Sequence, residues 1–280
     1  MVNETMKQLL SDKAKRHFDL TDKKLHNEIM TSVKKTTIYQ EAGFPDTGED
    51  IINLEIPTNQ TSGYSDFIET KLFACTSSEA IKKFAKNYRT CVLNFASYKN
   101  PGGQFLRGSS AQEEALCHDS TLYSVLIRIP KYYETNREHK NKACYHNRAL
   151  YSEDICFEFS DDGAIQNKYF VDILTCAAPN WGTSGRYNMV TKEDNSNYLR
   201  SRIQFIHDIL EDYNIRHPDR KIEVFITGAF GCGVFKQNPT EVASIFKDVF
   251  SKSSVHTIVY AIPAGKNLTS FENVFDTIAQ

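Results

Sequence analysis

The sequence predicts an α/β protein whose largely parallel sheet is sandwiched between helices, and three observations carry that reading. Short apolar runs of strand length, such as 90–95 and 222–227, alternate with segments of helical period. Both of those runs lead into glycine-rich loops, Asn100-Pro101-Gly102-Gly103 and Gly228-Ala229-Phe230-Gly231-Cys232-Gly233. The 280 residues are 40% hydrophobic and 24% charged, the composition of a globular chain with apolar material for one large domain or a domain plus an appendage. Alternation favours parallel pairing because each helix carries the chain back across the sheet before the next strand begins.

Taken in order, residues 1–40 are charged and helix-friendly. They read as two helices with Leu9, Leu10, Phe18, Leu25, Ile29 and Val33 as buried positions. Residues 45–65 hold Gly, Pro, Asn, Thr and Ser in quantity and read as loop. That loop places the division between an N-terminal helical extension over 1–60 and a main domain over 61–280. Segment 67–74 reads as a strand, 78–87 as a helix and 90–95 as a buried strand. The glycine loop follows, and then a helix over 111–126. Segment 131–148 is polar and basic and reads as a solvated helix-and-loop excursion in preference to an RNA-contacting surface. Strands are expected over 155–159 and 169–177, with a turn at 161–163. A long helix over 197–213 puts Leu199, Ile203, Ile206, Ile209 and Leu210 on or near one face. A strand over 222–227 precedes the second glycine loop. A helix over 239–250 starts with Pro239 near the position that proline favours. A strand over 255–262 and a helix over 271–278 complete the chain.

Composition excludes several classes of function. A net charge of −2 supplies no bulk positive field for phosphate backbones, so no dedicated nucleic-acid surface is expected. No apolar run approaches the ~18 residues of a bilayer span, and the polar N-terminus lacks a secretory core. Seven singly scattered cysteines without a C-x-x-C pair fit reduced thiols, and the expectation is a cytoplasmic monomer. Neither a His/Cys cluster with zinc spacing nor an H-E-x-x-H motif occurs, so neither a protein-built metal site nor a cofactor is expected.

The chemistry concentrates in two loops. Gly102 and Gly103 let the backbone approach an anionic or crowded ligand, and Gln112-Glu113-Glu114 follows where a helix should begin. Two acids would repel a phosphate, but they suit acid/base work or the grip of ribose hydroxyls on the sugar beside it. Each has a plainer reading. Ser110-Ala111-Gln112-Glu113 has the capping-box pattern, in which Glu113 only returns a hydrogen bond. Glu114 can be a first-turn acid favoured by the helix dipole. The second loop can turn successive N–H groups toward an anion, but it matches neither G-x-G-x-x-G nor the Gly-Lys-Ser/Thr of a phosphate loop. Cys232 reads as a small packed or backbone-presenting residue, since the sequence fixes no histidine beside it. Phe235 reads as core or as an aromatic wall against a sugar. Trp181, on the loop after 169–177, is open between ligand stacking and packing.

With these motifs in hand, the chain resembles the microbial-type poly(ADP-ribose) glycohydrolases of the macrodomain fold over about residues 67–278. The resemblance rests on Val92-Leu93-Asn94-Phe95-Ala96-Ser97, Asn100-Pro101-Gly102-Gly103, Gln112-Glu113-Glu114, Leu174-Thr175-Cys176-Ala177-Ala178-Pro179-Asn180 and 228–235. It implies a three-layer α/β/α mixed sheet with an N-terminal helical extension, and ADP-ribose or ADP-ribosylated macromolecules as partners. It implies Glu114 as general acid/base and Glu113 as the carboxylate that holds ribose hydroxyls. Binding would fall to Asn94, Asn100, Gly102, Gly103, Gln104, Gln112, Gly231, Cys232, Gly233, Val234 and Phe235. The implied reaction is hydrolysis of the O-glycosidic ribose linkage, with the pKa of Glu114 raised by burial and by the neighbouring charge of Glu113. One position departs from the family: Gln104 stands where a third glycine is usual. A side chain there would narrow the loop, contact ribose or diphosphate, or change the leaving group that fits. The alternatives are therefore a mono-ADP-ribosyl hydrolase of different linkage specificity and a non-catalytic reader of ADP-ribose.

Overall fold

Apolar alternation along the strands builds this molecule, a computed structural model that describes residues 2–46, 48, 51–54, 68–161 and 165–275. The elements run α1 (Val2–Lys24), α2 (His26–Lys34), β1 (Thr36–Glu41), β2 (Ile51–Leu54), β3 (Glu69–Phe73), α3 (Ser77–Phe84), β4 (Thr90–Phe95), α4 (Gln112–Asp119), α5 (Leu122–Leu126) and α6 (Pro130–Glu138). They continue with β5 (Arg148–Asp161), β6 (Ile165–Cys176), α7 (Trp181–Ser184), α8 (Lys192–Arg216), β7 (Val224–Thr227), α9 (Pro239–Val249), β8 (Thr257–Ala261) and α10 (Lys266–Phe275). The eight strands form one sheet in the order β2-β1-β5-β6-β4-β7-β8-β3. From β6 to β3 every neighbouring pair is parallel. At the other end β5 runs antiparallel to both β6 and β1, while β2 lies parallel to β1, so the sheet is mixed.

Adjacent residues of a strand point to opposite faces, and here both faces are covered. Leu93, Leu174, Phe225 and Tyr260 pack with Leu199, Ile203, Ile206, Ile209 and Leu210 of α8 and with Val242 and Phe246 of α9. Their neighbours Val92, Ile173, Ile226 and Val259 pack on the other side with Ile29 of α2, Ile81 of α3, Leu116 of α4 and Val125 of α5. This is the three-layer arrangement that the alternation predicts. Asn238 caps α9 by accepting the N–H groups of Thr240 and Glu241, with Pro239 in the first turn.

Several expectations need correction. The second N-terminal helix stops at Lys34, and 36–41 is a strand of the sheet. Segment 51–54, read as loop, is β2; both β1 and β2 fall within 1–60, yet they are sheet strands. Leu9 is 57% exposed, and the buried side chains of α1 include the small Ser11, Ala14 and Thr21. The helix expected over 111–126 breaks after Asp119, where Ser120 forms a β-bridge with Phe157. Segment 131–148 is not a solvated excursion, because Tyr132, Tyr133, Asn136, Tyr145 and Arg148 are all buried. The last helix begins at Lys266. Residues 55–67, most of the expected 161–163 turn and 276–280 lie outside the described residues.

Candidate active site

The glycine loops sit at the same end of the sheet because they follow β4 and β7, which are parallel neighbours. Ligands of open α/β sheets bind in the crevice beyond those carboxyl ends. Gln112 fixes the first loop to the sheet. Its Oε1 accepts the Phe95 N–H at 2.8 Å, and its Nε2 donates to the Leu93 carbonyl at 2.9 Å and to Ser77 Oγ at 3.1 Å. The amide therefore holds the start of α4 against the end of β4 and aims the next two residues.

The capping box does not form. Ala111 occupies the cap position with extended backbone and no side-chain hydrogen bond, so Glu113 falls at the second helical residue and Glu114 at the third. Freed from capping, Glu113 Oε2 accepts the Ser97 N–H at 2.7 Å, while Asn94 Nδ2 lies 3.4 Å from Oε1. Asn94 also donates to Thr175 Oγ1 at 3.3 Å. Glu114 Oε1 accepts the Gln104 N–H at 2.8 Å. Its Oε2 is buried and has no hydrogen-bond partner among the described residues.

The glycine pair makes room for these carboxyls. Gly103 has φ +61°, and a Cβ there would land on Glu114 Oε1 and come within 2.9 Å of Glu113 Oε2. At Gly102, φ is +64° and a Cβ would meet the Tyr123 ring at 2.6 Å. Both positions require the left-handed conformation and the missing side chain.

Burial, reinforced by the Glu114 charge, pushes the Glu113 carboxyl up to about 8 against the pull of the Ser97 and Asn94 donors. The Glu113 carboxyl therefore holds its proton at neutral pH. A carboxyl with one oxygen fixed by a backbone N–H and the other free can carry its proton on the free oxygen and deliver it to a bound group. Glu114 has that form.

The second loop lines a cleft of about 620 Å³ through Phe230, Gly231, Gly233, Val234 and Phe235. Opposite stand Ser110, Ala111 and Gln112 at the entry to α4, with Thr76–Ser78 and the 261–267 turn as further walls. Of the residues singled out from sequence, the lining contains Gln112, Gly231, Gly233, Val234 and Phe235. Asn94, Asn100, Gly102, Gly103, Gln104, Cys232 and the two acids lie outside it, the acids being the residues directly after Gln112. Asn100 is exposed and shapes the turn: its N–H donates to Ser97 Oγ at 3.2 Å and its carbonyl accepts the Gly103 N–H at 3.1 Å. Gln104 points its side chain to solvent with φ −113°, so only its N–H faces the acids. Burial raises the Cys232 thiol to about 12, which leaves it without thiolate character. Trp181 is absent from the lining and packs against Gly185.

Sequence reasoning placed Ser97 and Thr175 in the motifs of the resemblance but gave them no role, and it missed the wall after β8. The wall carried a signal, since Pro263 to Gly265 is a turn cluster following a strand. Ser97 acts through its backbone N–H, which no residue type announces. Among the described residues no three His, Cys, Asp or Glu side chains converge as a metal site, and no helix is long and apolar enough to cross a membrane.

Comparison with known proteins adds to this geometry. The family described as microbial-type PARG, catalytic domain, matches residues 4–158. A search of curated protein sequences returns no match. Among solved structures, poly(ADP-ribose) glycohydrolase from Thermomonospora curvata bound to the inhibitor ADP-HPD superposes with a TM-score of 0.75 at 22% identity, covering 95% of this chain and 99% of that one. Poly(ADP-ribose) glycohydrolase from Deinococcus radiodurans in complex with ADP-ribose gives 0.73 at 25% identity, covering 89% and 98%.

Proposed function

Because the chain belongs to the microbial-type PARG catalytic-domain family, a glycohydrolase family, we propose that it hydrolyses the O-glycosidic ribose linkage of poly(ADP-ribose) or protein-linked ADP-ribose with Glu114 as general acid/base. One observation carries the assignment: Glu114 has a buried, unpartnered Oε2 while its Oε1 is tied to the Gln104 N–H. The diphosphate would lie along the cleft between 228–235 and the start of α4, held by backbone N–H groups. The terminal ribose would reach the acids across Gly102 and Gly103, with Phe235 as its aromatic wall.

In this reading the proton on Glu114 Oε2 passes to the departing oxygen as the anomeric carbon gains oxocarbenium character. Water then attacks that carbon, and the Glu114 carboxylate takes the water's proton and is reset. Glu113, oriented by Ser97 and Asn94, holds the ribose hydroxyls. The D. radiodurans glycohydrolase binds ADP-ribose and the T. curvata glycohydrolase binds ADP-HPD, which supports ADP-ribose as the ligand class. The solvent-facing side chain of Gln104 supports a loop that stays open to a polymer end.

The test incubates the protein with poly(ADP-ribose) and with serine-, glutamate- and arginine-linked mono-ADP-ribosyl protein, and measures free ADP-ribose. Release from polymer is expected. Release from a mono-linked substrate alone would select the mono-ADP-ribosyl hydrolase. Calorimetric binding of ADP-ribose with no release from any substrate would make the domain a reader.

A further inference from the structure

Three non-glycine residues in succession, Asn141, Lys142 and Ala143, have positive φ values of 41°, 52° and 65°, and Tyr145 follows at 62°. Left-handed backbone at side-chain-bearing residues is costly and persists only where its surroundings enforce it. Here the enforcement is visible. Asn141 Nδ2 donates to the Tyr145 carbonyl at 3.2 Å, and the Ala143 N–H donates to the Lys140 carbonyl at 2.9 Å. From α8 the buried Arg202 guanidinium donates to the carbonyls of Ala177 and His146 and to Asn147 Oδ1. A buried cation spent on backbone carbonyls fixes the segment just beyond Tyr145 against the loop after β6.

The strained segment presents a ring between the two glycine loops. Tyr145 stacks on Tyr98 at a centroid distance of 4.2 Å and an interplanar angle of 10°. It also meets the Phe235 ring, at 6.1 Å and 60°, within a cluster that includes Ala177 and Ala143. Tyr98 directly follows Ser97, whose N–H orients Glu113, and Phe235 lines the cleft. The backbone repeats the connection: the Ala143 carbonyl accepts the Asn180 N–H at 2.9 Å, and the Gly182 N–H donates to the Phe235 carbonyl at 2.8 Å. Tyr98 and Tyr145 are 1% and 5% exposed, so the stack has little room to shift.

We propose that Tyr145 is a positioning residue for the hydrolysis, setting the distance between the acids of the first loop and the ribose wall at Phe235. The proposal rests on the reading of Phe235 given above. Tyr145 touches no substrate and acts through Phe235 and Tyr98.

A double-mutant cycle in steady-state hydrolysis of poly(ADP-ribose) tests this. Tyr145→Ala should lower kcat by about tenfold or more with KM changed less than about threefold, since misplacing the wall costs alignment more than binding. Phe235→Ala should behave likewise, and the double variant should fall within about twofold of Phe235→Ala alone, because the two act as one unit. Tyr145→Phe, which keeps the ring, should retain kcat within about twofold. Should Tyr145→Ala not fold, Tyr145→Leu takes its place in the cycle, filling the space without a stacking ring. Losses that multiply in the double variant, or unchanged kcat in Tyr145→Ala (or in Tyr145→Leu where it takes its place) beside a defective Phe235→Ala, overturn the positioning role alone. Full rate in Phe235→Ala, or a wild type inert toward every ADP-ribosyl bond, removes the reading of the site and this proposal with it.

Discussion

At the scale of single residues, the site depends on where side chains are missing as much as on where they stand. Gly103 must be glycine, because a methyl group would land on the Glu114 carboxyl and φ is +61°. Gly103→Ala should therefore lose about 1–3 kcal/mol of stability to backbone strain and on the order of a hundredfold in turnover through displacement of the acid. Gln104→Gly is the contrasting case. Its φ of −113° is open to any residue and its N–H does the work, so turnover should stay close to wild type. Thermal unfolding and initial rates on the two variants check both expectations. Glu113 adds a pH signature. Its carboxyl is raised to about 8 in the folded protein, so its contribution to stability is full below its ordinary range and is lost as pH climbs through 8. Between about pH 5 and pH 9 the wild type should lose urea resistance relative to Glu113→Gln; a wild type that gains over that range would contradict the buried, protonated assignment. The sequence made both acids visible as a doublet after a glycine pair. It also suggested a capping box at Ser110, which the structure replaces with an uncapped Ala111, because the helix starts one residue later than the pattern implies.

At the scale of elements, α1 is part of the first loop's support. Ser11 Oγ donates to the Leu106 carbonyl at 2.7 Å, and the His17 ring meets Phe105 edge-on. Gly108 has φ +77°, and a Cβ there would sit on the Lys7 carbonyl. Gly108→Ala should push α1 off the loop, cost about 1–3 kcal/mol and slow hydrolysis, which denaturant unfolding and rate measurements can follow together. A variant with normal rate and lowered stability would confine α1 to a structural role. The long apolar elements were legible: β4 and the five aliphatic positions on α8 lie where periodicity puts them, all five fully buried. Short or lightly packed elements were not. β2 is a four-residue edge strand within a stretch rich in loop formers, too short for alternation to register. The packed residues of α1 include Ser11 and Ala14, which carry little hydrophobic signal, while Leu9 faces outward. The break between α4 and α5 is set by a bridge from Ser120 to Phe157, a contact between residues far apart in sequence.

At the scale of the whole molecule, the sheet order places β4 and β7 side by side, so two loops more than a hundred residues apart in sequence share one crevice. At the opposite end of the same strands, Arg89 donates to buried Asp172 at 2.7 Å, and Tyr151 and Tyr213 close around the pair. Among the described residues, buried polar atoms without a hydrogen-bond partner include Arg89 Nε at that end and Glu114 Oε2 at the glycine-loop end. The sheet's parallel portion and its helical layers followed from alternation, whereas the antiparallel β1-β5-β6 portion did not, because pairing direction leaves no local mark on a buried strand. The second loop's role was likewise legible only in part, since its partners around the cleft come from five separate segments of the chain. Turnover and ADP-ribose affinity of Glu114→Gln, measured on the same preparation, test the central claim most directly. Loss of general acid catalysis predicts a rate lower by about two to four orders of magnitude with ADP-ribose affinity nearly unchanged; hydrolysis at the wild-type rate would show that the proton comes from elsewhere.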